Sequence, residues 1–146
     1  MPKRFTHAEA QSLIPQVGRL LRDAIAAKSD YDEADRAIQE FSERIMMMGG
    51  ITVDRERALA ARSRRDTAAG RLRAAIEEVQ ETGCIIKDLE IGLVDFPTLL
   101  RGVEVYLCWK LGESAIEFWH GVDEGFRGRK SIDQDFLDHH TGDRAQ

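Results

Sequence analysis

Apolar residues recur every three or four positions along the first third of the chain. The series alternates steps of four and three over about five heptads, which is typical of a coiled-coil helix. Its members are Leu13, Val17, Leu20, Ala24, Ala27, Tyr31, Ala34, Ile38, Phe41, Ile45 and Met48. At its start, Thr6 and Glu9 have the spacing of a capping box, with Phe5 and Ala10 placed as a hydrophobic staple. We therefore predict a long helix that begins after Thr6 and ends at Gly49.

A second helix is predicted over residues 53–82, and it ends before Gly83. Its apolar positions are Ala69, Leu72, Ile76 and Val79. Traced backwards, this series meets Arg65 and Arg62, so the half of the helix near the turn is weakly apolar. Two long helices joined by about four residues lie antiparallel. The sequence therefore predicts a helical hairpin over residues 1–83.

The charges of the two predicted helices are complementary. Residues 55–73 are rich in arginine, and residues 28–46, which face them when the hairpin closes at residues 50 and 51, are rich in aspartate and glutamate. Such charges pair across antiparallel helices, so we interpret the arginines as internal partners and not as a phosphate-binding surface. The formal net charge of −5 also disfavours nucleic acid as a partner. The narrow alanine-containing seam predicts self-association of the hairpin as a homodimer.

After residue 83 the pattern changes to that of short strands, at residues 84–89, 92–97 and 103–110. Residues 115–120 have the composition of a fourth strand, although Glu113, Glu117 and His120 would also share one face of a helix, so both alternatives stay open. The predicted fold class is α+β, with a long antiparallel helical hairpin packed on a small antiparallel β-sheet. The predicted segments are the hairpin (1–83), the β-rich segment on its base (84–137) and a flexible tail (138–146), within one structural domain.

Composition limits the environment of the protein. The 146 residues favour one domain, and no apolar run approaches the roughly 20 residues that a membrane span needs. The N-terminus has no apolar signal core, and the two cysteines, Cys84 and Cys108, lack CxxC spacing. We interpret both as reduced, buried thiols and expect a cytoplasmic protein without a membrane partner.

The C-terminal segment carries the residues that suggest chemistry. Carboxylates and an imidazole together can hold a divalent metal such as zinc, and Asp95, Glu113 and His120 are the predicted ligands. The alternative is that these acids form hydrogen bonds and ion pairs with nearby basic residues. No catalytic residue is assigned, because Cys108 is expected to be an inert thiol within a strand and Ser114 lacks a GxSxG context. Whether the protein is an enzyme therefore stays open.

A small-molecule ligand is a second possibility in this segment. Trp109 and Trp119 could stack a planar molecule, although such spacing is also typical of core residues. Residues 125–130 combine glycines with three cations, including Arg129, which is the chemistry of an anion-binding loop. The alternative is a loop whose cations pair with neighbouring acids. The sequence does not identify the ligand.

Several motifs resemble a bacterial family known only as domain of unknown function 2203. They are Phe5-Thr6, Glu9-Ala10 and Ile14-Pro15; residues 83–97; residues 105–113; Phe118-Trp119-His120; and Gly125-Phe126 with Gly128-Arg129. The resemblance covers nearly the whole chain. It implies that the family pattern includes Asp88, Asp95, Glu113, His120 and Arg129, which adds Asp88 to the candidate ligand-binding residues. It implies no activity.

The predicted function is that of a small cytosolic binding protein with a C-terminal polar pocket that holds a divalent metal. One alternative is a dimeric coiled-coil scaffold without an active site. Another is a metal-dependent hydrolase.

Overall fold

A computed structural model describes residues 3–47 and 55–143. The helices are α1 (His7–Met47), α2 (Arg55–Glu81) and α3 (Gln134–His139). The strands are β1 (Ile85–Asp88), β2 (Leu93–Leu100), β3 (Val103–Lys110), β4 (Phe118–Gly121), β5 (Lys130–Ser131) and β6 (His140–Thr141). The predicted α+β class is therefore confirmed, while the predicted helix end at Gly49 and the predicted closure of the hairpin at residues 50 and 51 lie outside the described residues.

The start of α1 is built as the sequence predicts. The backbone N–H of Thr6 donates to Glu9 Oε1 at 3.0 Å, and the N–H of Glu9 donates to Thr6 Oγ1 at 3.1 Å. Phe5 and Ala10 are both fully buried, as a hydrophobic staple requires. The helix continues without interruption through Pro15. The capping box thus satisfies donors that would otherwise lack a partner at the helix end.

The chain divides into two compact units. One contains the described parts of residues 1–22 and 77–146, and the other contains those of residues 23–76. In the first unit, Phe5 and Val17 from the start of the chain and Val79 of α2 share one hydrophobic core with the sheet. The ring of Phe5 packs edge-on against Phe96, with the centroids 5.3 Å apart. This shared core explains why the division differs from the predicted segment boundary at residue 83.

Within the second unit, α1 and α2 run antiparallel. Arg71 Nη1 lies 2.8 Å from Asp30 Oδ2, and Arg65 Nη1 lies 3.2 Å from Asp35 Oδ1. The higher-numbered arginine of α2 pairs with the lower-numbered aspartate of α1. These two ion pairs therefore show that the helices are antiparallel and define the register between them. The predicted pairing of opposite charges across the hairpin is confirmed at these two positions.

Small residues form the buried stripe of α2. The buried positions are Ala61, Ala68, Ala75 and Val79. Of the predicted series, Val79 is buried, but Ala69, Leu72 and Ile76 are only half-buried. The predicted stripe was therefore displaced by one residue at Ala69 and Ile76, and it was correct at Val79. The reason is steric: alanines in the centre allow close approach of α1, and the larger Leu72 and Ile76 then lie at the flank of the contact.

The strands form one antiparallel sheet in the order β1-β2-β3-β4-β5, and β6 pairs with β2. β3 has the predicted bounds. β2 was predicted to end at Pro97, but it continues to Leu100. The Pro97 carbonyl accepts from the Phe5 N–H at 2.7 Å, on the edge of β2 that faces away from β3. The N–H that proline lacks would face the same edge, so no hydrogen bond to β3 is lost.

The structure also resolves the open question at residues 113–120. This stretch contains no helix, and a strand begins only at Phe118. The predicted flexible tail at 138–146 is corrected for residues 138–143. There, α3 ends at His139 and β6 pairs with β2, while Phe136 is buried. The buried ring of Phe136 thus anchors a polar segment whose composition predicted a flexible tail.

Candidate metal centre

Alternation along the strands separates two faces of the sheet. One face carries Val94, Leu107 and Trp109 into the core beneath α1. The pairing of β2 with β3 places Asp95 directly opposite Cys108, so these two side chains share the other face. The strand pattern that builds the core therefore also directs polar groups to the opposite face.

Three potential metal ligands from three adjacent strands meet on that face. They are Asp95 of β2, Cys108 of β3 and His120 of β4, and their ligand atoms all lie within 4.8 Å of one another. His120 pairs with Tyr106, two residues before Cys108, which places the imidazole diagonally across from the thiol. Asp95 and Cys108 are fully buried and His120 is 4% exposed. We refer to these residues as the Asp–Cys–His cluster.

The hydrogen bonds of His120 define its tautomer. Its Nδ1 lies 2.8 Å from the Gly121 carbonyl oxygen, which can only accept, so Nδ1 carries a proton. Its Nε2 lies 3.0 Å from Asp95 Oδ1, and one proton lies between these two atoms. A backbone carbonyl that fixes Nδ1–H is also the arrangement that orients histidine ligands in metal sites. Loss of the shared proton would leave Nε2 with a lone pair directed into the cluster.

The second carboxylate oxygen of Asp95 has no partner. Oδ2 is buried and receives no hydrogen bond from any described residue. An unsatisfied buried polar atom costs roughly 1–3 kcal/mol, and more when the group is charged. Such an atom is rare in a folded protein and requires an explanation. A ligand bound within the cluster would remove this cost.

Burial controls the chemistry of both thiols. Burial, then the negative charge of Asp95 and a hydrogen bond from the thiol to the Asp95 carboxylate raise the pKa of Cys108 to about 12, whereas Arg129 acts in the opposite direction. Burial and then the charge of Asp95 also raise the pKa of Cys84 well above its usual range. Both cysteines are free thiols, as the sequence predicts. Without a bound cation, each thiol keeps its proton at neutral pH and is a poor nucleophile.

Cationic and aromatic side chains lie next to the cluster. The Arg129 guanidinium lies 4.1 Å from the centroid of the Phe118 ring, and its Nη2 donates to the Cys108 carbonyl at 3.4 Å. The Lys87 ammonium lies 5.2 Å from the Tyr106 ring, which in turn packs edge-on against His120 at 5.6 Å. These contacts cover part of the sheet face that carries the cluster.

The structure brings together two of the three predicted metal ligands. Asp95 and His120 are neighbours, but the carboxylate of Glu113 forms an ion pair with Arg129, whose Nη2 donates to both of its oxygens at 2.7 and 3.0 Å. Glu113 also accepts from the Lys110 N–H at 2.7 Å. Its carboxylate is therefore occupied by two donors. Cys108 takes the third position in the cluster.

The remaining candidate residues are distributed over both faces of the sheet. Asp88 is exposed and accepts from the Glu90 N–H at 3.0 Å. Trp109 is a core residue whose Nε1 donates to the Glu113 carbonyl at 3.0 Å. Trp119 packs against Phe136 with the ring centroids 5.3 Å apart. The tryptophans therefore lie on the helix-packed face, opposite the cluster, and only Arg129 is adjacent to it.

Cys108 is the residue that sequence reasoning missed. Its strand was predicted with the correct bounds, and strand alternation places Glu104, Tyr106, Cys108 and Lys110 on the less apolar of its two faces. The missing information was the register that sets Asp95 opposite Cys108. Alternation within β3, combined with a hairpin at Arg101 and Gly102, could have suggested this pairing.

The donor set suits a transition metal of zinc type. Thiolate, imidazole and carboxylate are all zinc ligands, and three protein ligands leave a fourth position for water or another molecule. The orphaned Asp95 Oδ2 and the fixed Nδ1–H of His120 fit this assignment. The residues present can therefore hold the metal that the sequence predicts, with one ligand changed.

Fold and site together define an α+β protein with a buried Asp–Cys–His cluster on one face of its sheet. The chain belongs to the family described as uncharacterized conserved protein (DUF2203), whose pattern matches residues 3–132. The match includes all three residues of the cluster. No curated protein and no solved structure matches the chain. None of the helices in the described ranges is both long and apolar enough to cross a membrane.

Proposed function

We propose that this protein binds one divalent metal ion, preferentially zinc, through Asp95, Cys108 and His120. The observation that carries the proposal is the convergence of three buried ligand side chains, one of which has a carboxylate oxygen without any hydrogen-bond partner. In a cluster without metal, His120 compensates one carboxylate oxygen of Asp95, and the other buried oxygen has no hydrogen-bond partner among the described residues. A bound cation would be a partner for this oxygen.

The mixture of donors supports zinc over magnesium or calcium. Mg²⁺ and Ca²⁺ prefer oxygen ligands, whereas a site with one sulfur, one imidazole nitrogen and one carboxylate favours a softer cation. Binding would replace the proton between His120 Nε2 and Asp95 Oδ1 and the proton of the Cys108 thiol. The Nδ1–H bond to Gly121 would be kept and would hold the ring in place. A thiolate ligand also requires a reducing compartment, in line with the cytoplasmic location that we propose.

The experiment compares two buried cysteines. Tag-free protein is purified without chelators, and its metal content is measured by mass spectrometry. We expect close to one zinc per chain in the wild type and in Cys84→Ala, and a loss of at least tenfold in Cys108→Ala. Cys84 is the matched control because it is equally buried and also lies near Asp95.

Two further variants separate this ligand set from the sequence-predicted one. His120→Gln should lose the metal, whereas Glu113→Gln should retain it. Substitution with cobalt adds a direct test, because a thiolate ligand produces a charge-transfer absorption that Cys108→Ala should abolish. Equal and substoichiometric metal in the wild type and in Cys108→Ala would contradict the proposal and leave a hydrogen-bonded structural cluster.

A second candidate function is metal-dependent hydrolysis. The observation in its favour is the ligand count, since catalytic zinc sites have three protein ligands and an open position for water. A screen with ester, phosphate and peptide substrates tests it, with zinc-loaded wild type against Cys108→Ala. Turnover that is equal in the two proteins would contradict hydrolysis at this site.

A further inference from the structure

A continuous groove runs along one side of the hairpin in the unit formed by residues 23–76. Two adjoining hollows of about 370 and 440 Å³ form it, and Arg64 lines both. The α1 side is lined by Asp30, Glu33, Ala34, Ala37, Glu40, Phe41 and Arg44. The α2 side is lined by Arg57, Ala60, Ser63, Arg64, Thr67, Ala68 and Arg71. Over residues 30 to 44 the groove extends about 20 Å at 1.5 Å per residue.

The two walls of this groove differ in charge. The α1 wall has Asp30, Glu33 and Glu40 along most of its length and Arg44 at its end, whereas the α2 wall has three arginines. Asp30 and Arg71 form an ion pair with each other across the groove. Glu33, Glu40 and Arg64 form no ion pair with any described residue, so their charges are available to a partner. The floor between the walls contains alanines, which permit close approach of another helix.

We propose that a second copy of this chain occupies the groove, with its hairpin parallel to the first and related to it by a twofold axis along the helices. This arrangement places α2 of each copy over α1 of the other, so that Arg64 and Arg71 of each copy meet the acidic stretch of the other copy's α1 wall. A twofold axis across the helices would instead place α1 on α1 and α2 on α2, which would bring the arginines of the two α2 walls together. The charge pattern therefore selects one of the two face-to-face arrangements.

The register identifies the contacts. Because Arg65 pairs with Asp35, residue 64 lies level with the stretch of α1 between Glu33 and Glu40. Arg64 of the second copy would therefore lie within about one helical turn of both glutamates. Glu33 and Glu40 of the second copy would flank this chain's Arg64 in the same way. Each copy contributes both halves of the contact, as an isologous interface requires.

Exposed apolar side chains at the far end of this unit support the same arrangement. Ile45, Met46, Met47 and Leu59 are 44%, 85%, 86% and 62% exposed. Parallel hairpins bring the corresponding ends of both copies together, so these side chains would form one apolar cluster.

The test is the oligomeric state of full-length, tag-free protein by sedimentation equilibrium. We expect the wild type to have twice the chain mass of 16.5 kDa. Glu40→Arg and Arg64→Glu should each weaken association at least tenfold, with helix content unchanged because both positions are exposed. Arg62→Glu is the matched control, since it makes the same charge change on α2 outside the groove and should remain dimeric.

Mixing the two weakened variants is the decisive measurement. In a heterodimer of Glu40→Arg with Arg64→Glu, both cross-chain contacts again join opposite charges, so the mixture should associate more tightly than either variant alone. An effect within one chain could not produce this rescue. Ala60→Trp fills the groove at an exposed position and should give a folded monomer. A monomeric wild type, dimers that tolerate both reversals, or a mixture that fails to associate would each overturn the proposal.

Discussion

At the scale of single residues, His120 illustrates how a backbone contact can prepare a side chain for a role. The Gly121 carbonyl fixes the proton on Nδ1, which leaves Nε2 as the atom that faces Asp95. Asp95 uses one oxygen for this contact and has no described partner for the other. The cluster therefore has fewer internal hydrogen bonds than its buried groups can form, which is unusual unless a ligand completes it.

Gly142 lies where a side chain has no room. A Cβ at this position would lie 2.7 Å from the Thr6 nitrogen and 2.8 Å from the Phe5 carbonyl carbon. Gly142→Ala should therefore displace backbone at the start of α1 and lower the free energy of unfolding by about 1–3 kcal/mol. Urea denaturation followed by circular dichroism measures the change. Gly125→Ala is the control, since nothing lies within 4 Å of its added Cβ, and an equal loss there would contradict this explanation.

At the scale of helices and strands, the sequence predicted the elements that local chemistry defines. The capping box of Thr6 and Glu9 is present, and the bounds of β3 are confirmed. Local sequence patterns did not predict the features that depend on contacts with neighbouring elements. β2 passes through Pro97 because the edge that lacks a donor faces Phe5 and not β3. The buried stripe of α2 consists largely of alanines, whose weak hydrophobicity did not distinguish them from the larger residues beside them.

The candidate site shows the same limit. Asp95 and His120 were recognised by residue type, but the third member depended on which residue lies opposite Asp95 across the strand pair. Glu113 has the right chemistry for a ligand, yet Arg129 and the Lys110 N–H engage its carboxylate. Residue type therefore indicates which side chains could be metal ligands. The strand register and competing hydrogen-bond partners determine which of these side chains lie together in the structure.

Gly70 lies within α2 in open space, and nothing lies within 4 Å of its added Cβ. Gly70→Ala should increase the free energy of unfolding by about 0.5–1 kcal/mol, because alanine loses less backbone entropy in a helix. Gly102 provides the contrast. It is equally open but has a φ of +81°, so alanine should destabilise the hairpin between β2 and β3. Chemical denaturation of Gly70→Ala and Gly102→Ala measures both changes in the free energy of unfolding. Changes of the same sign would contradict this explanation.

At the scale of the whole molecule, the proposed metal site predicts a link between metal and stability. A ligand that binds only the folded state adds about 2.7 kcal/mol when its free concentration is one hundred times the dissociation constant. Zinc should therefore raise the melting temperature of chelator-treated wild type and of Cys84→Ala. Zinc should leave the melting temperature of Cys108→Ala unchanged. Differential scanning calorimetry with and without zinc measures this shift in melting temperature. An equal shift in Cys108→Ala would show that zinc stabilises the protein through a site other than the Asp–Cys–His cluster.

The proposed dimer and the proposed metal site rest on different parts of the chain. The groove lies within residues 23–76, and the cluster lies within residues 77–146. The variants that test one should therefore leave the other intact. Cys108→Ala should remain dimeric, and Glu40→Arg should retain its metal.

Contacts between the two ends of the described chain have a consequence for biosynthesis. The Arg4 N–H donates to Asp143, 139 positions later, and the His7 N–H donates to His140. β6, which pairs with β2, is also among the last described residues. On the ribosome, the beginning of α1 therefore emerges long before its final partners exist. The first unit can complete its native contacts only after residue 143 has left the exit tunnel, so a stalled nascent chain should present an incompletely closed sheet to chaperones and proteases.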